Sequence, residues 1–282
     1  MQTILEIEGL TKRYKDFALE NVSFSLPAGC IMGFIGENGA GKSTTINLIL
    51  GLIQKDAGHI RLFGQETYLE NKDTFEHIGV VLDETGLHET LTPRDCNAIF
   101  SSMYRTWKPR VFRDYCARFS LPEKKQLKAF SSGMKRKLSI AAALSHDSRL
   151  LLLDEATSGL DPIVRDELLD VFLEFIQDEG HSILLSSHIL SDLEKTSDYI
   201  AFLHKGRLLF CEQKDVLLER YCVLKCAEAE LKAIDPARIH GVRRNKFGAE
   251  ALIERKAAPR GALTNPADIE DIMLFLSRGE KQ

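Results

Sequence analysis

Apolar and polar positions along this chain follow two rhythms. Leu5-Glu6-Ile7-Glu8-Gly9-Leu10 and Val22-Ser23-Phe24-Ser25-Leu26 alternate at period two, which predicts half-buried antiparallel strands. Cys30-Ile31-Met32-Gly33-Phe34-Ile35, Leu150-Leu151-Leu152-Leu153 and Ser182-Ile183-Leu184-Leu185-Ser186 are short apolar runs, the pattern of strands buried on both faces. Residues 58–64 predict another short antiparallel strand between glycines. Residues 77–84 predict a strand with a polar end, and 199–203 a strand that turns at Lys205-Gly206-Arg207 into 208–210. Helical periodicity covers 44–50, closed by Gly51, then most of 92–146, and 163–177. Within 92–146, Thr92-Pro93 is a cap with proline at the first helical position; Pro109 restarts the pattern and Pro122 interrupts it. From residue 216 the pattern weakens to short strands at 221–226, 242–244 and 249–253. Asn265-Pro266-Ala267-Asp268 then predicts a helix start, with Ile269, Ile272, Met273 and Leu276 on one face.

Chemistry concentrates where these elements end. The first buried run leads into Gly36-Glu37-Asn38-Gly39-Ala40-Gly41-Lys42-Ser43-Thr44, a phosphate-binding loop opening a helix. Glycines let successive N–H groups converge on an anion, Lys42 brings a point charge, and Ser43 can ligate Mg²⁺. The helix N-terminus adds its dipole. The second run ends in Asp154-Glu155. In a phosphate-loop protein the first acid suits Mg²⁺ and the second suits positioning a water. Ser158-Gly159-Leu160-Asp161-Pro162 then turns into a helix, and His188 lies just past the third run, on the same edge as the acids.

Other stretches keep two readings. Tyr14 precedes the loop on an exposed turn, where its ring suits stacking on adenine or simply edging a sheet. Phe130-Ser131-Ser132-Gly133-Met134-Lys135-Arg136-Lys137 is a cap-like helix start with three cations opposing the dipole; a bound anion explains them, as does a solvated basic face. Ile99, Phe100, Met103, Tyr104 and Trp107 form an apolar stripe that suits either core or, beside the Asp83 turn, a groove for a partner's helix.

Composition narrows the class. The 282 residues leave room for a large domain and a small one, with 44% hydrophobic and 28% charged residues, as in ordinary soluble proteins. A net charge of −4 argues against a dedicated nucleic-acid binder. Residues near Met1 are acidic where a signal peptide needs an apolar run, so none is expected there, and no run approaches the roughly 18 apolar residues of a membrane span. Six scattered cysteines lack metal spacing and read as reduced thiols of a cytoplasmic protein.

Over about residues 1–215 this ordered set resembles the ATP-binding subunit of ABC transporters: Tyr14, the loop at 36–43, Asp154-Glu155, the Ser158–Asp161 turn and His188. Phe130 to Met134 stands in the place of the family signature L-S-G-G-Q. Ser132 and Met134 depart from its first Gly and its Gln, and Asp83 stands where the family usually has glutamine. The resemblance implies an α/β fold: a P-loop NTPase (RecA-like) core in 1–215 with an N-terminal antiparallel β subdomain and a helical insert at about 92–146. Residues 216–282 would form a small α+β extension without motifs, dispensable for ATP chemistry. It further implies an ATPase using ATP and Mg²⁺, with two subunits head to tail. Each ATP would be held by the loop of one subunit and by Ser131 and Gly133 of the other. Asp154 and Ser43 would hold the metal, Glu155 would polarise water, His188 and Asp83 would attend the γ-phosphate and its metal, and Asp161 would link the two sites. A separate integral-membrane permease, probed from the cytoplasmic face of the membrane, would receive the energy. Signature and extension are similar to those of bacterial drug, antibiotic and lipid exporters; the alternative is a soluble ABC ATPase driving a protein or nucleic-acid machine.

Overall fold

The computed structural model describes residues 2–66, 72–82, 86–246, 248–259 and 261–279. The two alternating segments pair with each other. β1 (Thr3–Arg13) runs antiparallel to β2 (Ala18–Pro27), with Ile7 opposite Phe24 and Leu10 opposite Val22. β4 (Ala57–Leu62) and β5 (Gln65–Glu66) complete a sheet in the order β2-β1-β4-β5. Its inner side chains, among them Ile7, Phe24 and Leu26, are buried against the central sheet.

That central sheet runs β10-β9-β3-β8-β7-β6. β3 (Ile31–Ile35), β6 (Ile78–Val81), β7 (Leu150–Asp154), β8 (Ser182–Ser186) and β9 (Tyr199–His204) are parallel; β10 (Arg207–Gln213) is an antiparallel edge. Every residue of β3, β7 and β8 is buried, the reason their sequences are continuously apolar. Strand alternation divides them between two cores. Leu150 and Leu152 pack with the N-terminal sheet, while Leu151 and Leu153 face the helices.

Helices α1 (Lys42–Ile49), the short α2 (Lys72–Phe75), α3 (Pro93–Met103), α4 (Pro109–Arg118), α5 (Ser132–Ala143), α6 (Pro162–Phe175), α7 (Leu190–Thr196) and α8 (Lys214–Arg220) surround this sheet. α3 starts as predicted: Thr92 Oγ1 accepts the Asp95 N–H while the Asp95 carboxylate accepts the Thr92 N–H.

The C-terminal segment forms a third sheet, β12-β13-β11-β14, from β11 (Tyr221–Cys226), β12 (Ile239–Asn245), β13 (Gly248–Glu254) and β14 (Leu263–Pro266), with α9 (Glu228–Leu231) and α10 (Ile269–Gly279). One boundary differs from the sequence reading. Asn265 and Pro266 belong to β14, opposite Val223 and Cys222, and the capping oxygen is that of Asp268, which accepts the Asp271 N–H. Proline is tolerated there because β14 is an edge strand. Ile269, Ile272 and Phe275 of α10 are buried in the same core as Leu151 and Leu185 of the central sheet. Removing the segment would uncover that apolar face, so the expectation that it is dispensable meets a packing cost.

Candidate nucleotide and catalytic site

The parallel strands deliver their polar ends to one edge of the central sheet. Gly36 follows β3, and a Cβ on it would lie 2.4 Å from the Leu203 carbonyl oxygen, so only glycine fits. Gly41, at φ 112°, caps α1 without a side chain over the first N–H groups. Lys42 is buried; its Nζ donates to the Gly36 carbonyl at 2.7 Å and the Glu37 carbonyl at 3.4 Å. Asn38 and Gly39 are exposed, Ala40 is buried behind the loop, Ser43 is exposed on the first helical turn and Thr44 is half-buried.

Asp154 is the last residue of β7 and is buried; its Oδ1 accepts the Ser186 hydroxyl at 2.5 Å. Glu155 turns the chain at φ 52°, a left-handed conformation that costs a non-glycine residue roughly 1–3 kcal/mol. That turn places its carboxylate between Lys42 and His188: Oε1 lies 3.8 Å from Lys42 Nζ, and Oε2 lies 2.6 Å from His188 Nδ1. A carboxylate only accepts, so Nδ1 carries the proton of that bond and the ring is oriented by it. Lys42, Glu155 and His188, predicted from three separate stretches, are thus brought together, with Asp154 next to Glu155 in the chain. The donor set suits Mg²⁺: a buried carboxylate with one oxygen beyond the Ser186 contact, and an exposed hydroxyl at Ser43. Mg²⁺ needs only one or two carboxylates, since phosphates and water fill the rest.

Asp161 caps α6, accepting the Ile163 and Val164 N–H groups at 3.2 and 3.1 Å. Nearby, burial pushes the Asp192 carboxyl up, opposed by Arg165, whose Nη1 is 3.9 Å away. Tyr14 lies in the β1–β2 turn, 48% exposed and stacked on Phe17, with Lys12 Nζ 5.7 Å from its ring. Phe17 in turn borders Gly41, which puts this aromatic pair beside the loop. Asp83 lies outside the described residues.

The helix at Ser131 is different. Ser131 Oγ accepts the Met134 N–H at 3.2 Å, and Ser131 and Ser132 are exposed. Its three cations have partners within the chain: Lys135 pairs with Glu89 at 3.1 Å, Arg136 donates to the Leu82 carbonyl at 3.2 Å, and Lys137 pairs with Glu167 at 2.8 Å. These contacts account for the basic residues without an anion. Among the described residues no hydrogen bond or ion pair joins Ser131 or Gly133 to the loop or to Glu155.

Two features were invisible as motifs. Ser186 reads in sequence as the polar end of an apolar run, yet its hydroxyl contacts both acids' stretch of chain. α10 places Met273 and Leu274 across a cleft of about 290 Å³ from Gly36, Glu37 and His188. The aromatic stripe divides: Phe100, Tyr104 and Trp107 line a groove of about 200 Å³ with Leu82 and His146, while Ile99 and Met103 are exposed.

The protein-family model described as ABC transporter matches residues 19–158. A bacitracin transport ATP-binding protein of Bacillus licheniformis is 36% identical over 212 residues, spanning 74% of this chain and 69% of that protein. A lantibiotic transport ATP-binding protein of Streptococcus pyogenes is 35% identical over 215 residues, spanning 75% of this chain and 92% of that protein. The solved structure of an ATP-binding subunit of an ABC transporter superposes with a TM-score of 0.70 at 30% identity, covering 76% of this chain and 91% of that one.

Proposed function

The chain belongs to the ATP-binding subunits of ABC transporters, ATPases that energise membrane transport, and from that premise we propose that it drives export through a separate integral-membrane permease, working as one of two head-to-tail subunits. The observation that carries the residue roles is the Glu155 carboxylate held between Lys42 and His188. Tyr14 stacks on the adenine, and the N–H groups of residues 36–44 wrap the phosphates. Lys42 neutralises the β- and γ-phosphates. Asp154 and Ser43 would hold Mg²⁺, which would supply further charge neutralisation on the phosphates. Glu155 orients the attacking water, and His188, fixed through Nδ1, turns its other ring nitrogen to the γ-phosphate. Asp83 would act on the metal or its waters, so Asp83→Gln should be tolerated and Asp83→Lys should impair Mg²⁺-dependent turnover.

Ser131 and Gly133 serve the partner's ATP, and Asp161 lies where the two sites communicate. The groove lined by Phe100, Tyr104, Trp107 and His146 is the proposed seat for a short permease helix. α5 runs from Ser131 to the wall of this groove, so a shift of the seated helix reaches the signature through one rigid element. No described helix is long and apolar enough to cross a membrane; the subunit attaches peripherally, on the cytoplasmic face, through its permease. The bacitracin and lantibiotic in the relatives' names make such compounds the first cargo to test. Nothing in the site favours the soluble-machine alternative. Co-expression with the neighbouring membrane-protein gene, purification from detergent and an ATPase assay test the proposal: co-purification with stimulated turnover supports it, and turnover indifferent to any membrane protein overturns it.

A further inference from the structure

We infer that Ser186 is the positioning residue that holds both acids of the site in working geometry; this rests on the roles proposed above for Asp154 and Glu155. Ser186 ends β8 directly beside Asp154 in the parallel register and has no exposed surface. Its single hydroxyl makes two contacts, donating to Asp154 Oδ1 at 2.5 Å and lying 3.1 Å from the Glu155 N–H. Their directions are fixed by chemistry. An ionised carboxylate only accepts and an amide N–H only donates, so the proton goes to Asp154 and the lone pair to Glu155. The Glu155 N–H is shared with the Ser186 carbonyl, also at 3.1 Å.

Two consequences follow. The short, charge-assisted bond sets the plane of the Asp154 carboxylate and hence the direction of its remaining oxygen. The grip on the Glu155 amide holds the left-handed turn that sends its side chain toward Lys42 and His188. Two residues on, the same strand end supplies His188 to the other end of Glu155, so one tripeptide fixes both backbone and carboxylate. Supporting groups of this kind typically change metal affinity or activity by about 10- to 100-fold when removed.

The test uses the full chain and the isosteric pair Ser186→Thr and Ser186→Val, with Ser186→Ala alongside. Thr keeps the hydroxyl and Val replaces it by a methyl of the same shape, so volume and hydrogen bonding separate even if Ala loosens the fold. Mn²⁺ binding in the presence of ATP, followed by electron paramagnetic resonance, gives metal affinity; fluorescent-ATP binding without metal reports on the loop alone; and steady-state kinetics split kcat from KM. The expected result is metal-free ATP binding unchanged in all variants, Mn²⁺ affinity and kcat lowered about 10- to 100-fold in Val and Ala, and both largely retained in Thr. Val and Thr behaving alike in metal affinity and kcat overturns the inference while leaving the proposed roles standing. If Glu155→Gln, assayed in parallel, turns over like the parent chain, those roles fall and this inference falls with them.

Discussion

Two helices begin beside polar, glycine-containing turns, and they begin in opposite ways. At α1 the cap is Gly41, bare of side chain, and Lys42 is buried against loop carbonyls with Glu155 and His188 brought alongside by β7 and β8. At α5 the cap is Ser131, whose hydroxyl occupies the Met134 N–H, and each nearby cation is already engaged within its own subunit. The first end has its chemistry supplied by the same chain. At the second, no hydrogen bond or ion pair among the described residues joins Ser131 or Gly133 to the loop or to Glu155. That contrast fits the head-to-tail pairing proposed above, in which the Ser131 end of each subunit serves the ATP held by the partner's loop.

The largest effect should come from breaking the first end. Glu155→Gln is expected to keep ATP binding while turnover falls by about 100- to 10,000-fold, and Lys42→Ala to lose tight binding; fluorescent-ATP titration and a phosphate-release assay separate the two. Next is the support behind it. Ile272→Ala in α10 should cost about 2–5 kcal/mol of stability, read by denaturant unfolding, because the side chain is fully buried in the core shared with the central sheet. An unfolding curve superimposable on the parent's would show that the C-terminal unit does not support the site.

The second end should respond differently. Ser131→Ala removes a cap and should cost about 1 kcal/mol of stability, with turnover reduced. Mixing Lys42→Ala with the less active Ser131→Ala protein should raise turnover above that of either alone, because one site of each mixed pair is then intact; no gain on mixing would mean that both ends act within one subunit.

A smaller effect lies at the far end of α5. Burial pushes the His146 ring below its usual 6.5, despite the hydrogen bond from Nδ1 to the Glu76 carbonyl. The neutral ring is therefore favoured by folding, so its contribution is present above pH 6.5 and is lost as pH falls through the lowered value. Thermal melting should show a drop below pH 6.5 that His146→Phe flattens, since Phe keeps the stack on Tyr104 and cannot titrate. Smallest of all, burial pushes the thiols of Cys96, Cys116 and Cys211 up to about 11, 12 and 11. All three should label slowly with a thiol reagent at neutral pH in the folded protein and quickly once it is unfolded.

The sequence by itself determined the phosphate loop, the acidic strand end, the buried parallel strands, the α3 cap and the family resemblance. The local features lie within runs of about ten residues, where backbone sterics, cap chemistry and burial of whole strands leave their mark on consecutive positions, and the resemblance rests on their order along the chain. Only the tertiary structure decided who meets whom. Lys42, Glu155 and His188 come from stretches more than a hundred residues apart in part, and the pairing register of β7 with β8, set by packing on two faces, is what puts the Ser186 hydroxyl on Asp154. The same holds for the α5 cations, which looked unbalanced on the helix alone and are balanced by Glu89, Glu167 and the Leu82 carbonyl. It holds also for Asn265-Pro266, a helix start by its residues and an edge strand by its neighbour β11. Local geometry is written in neighbouring residues; a partner distant in sequence is chosen by which apolar faces are buried together.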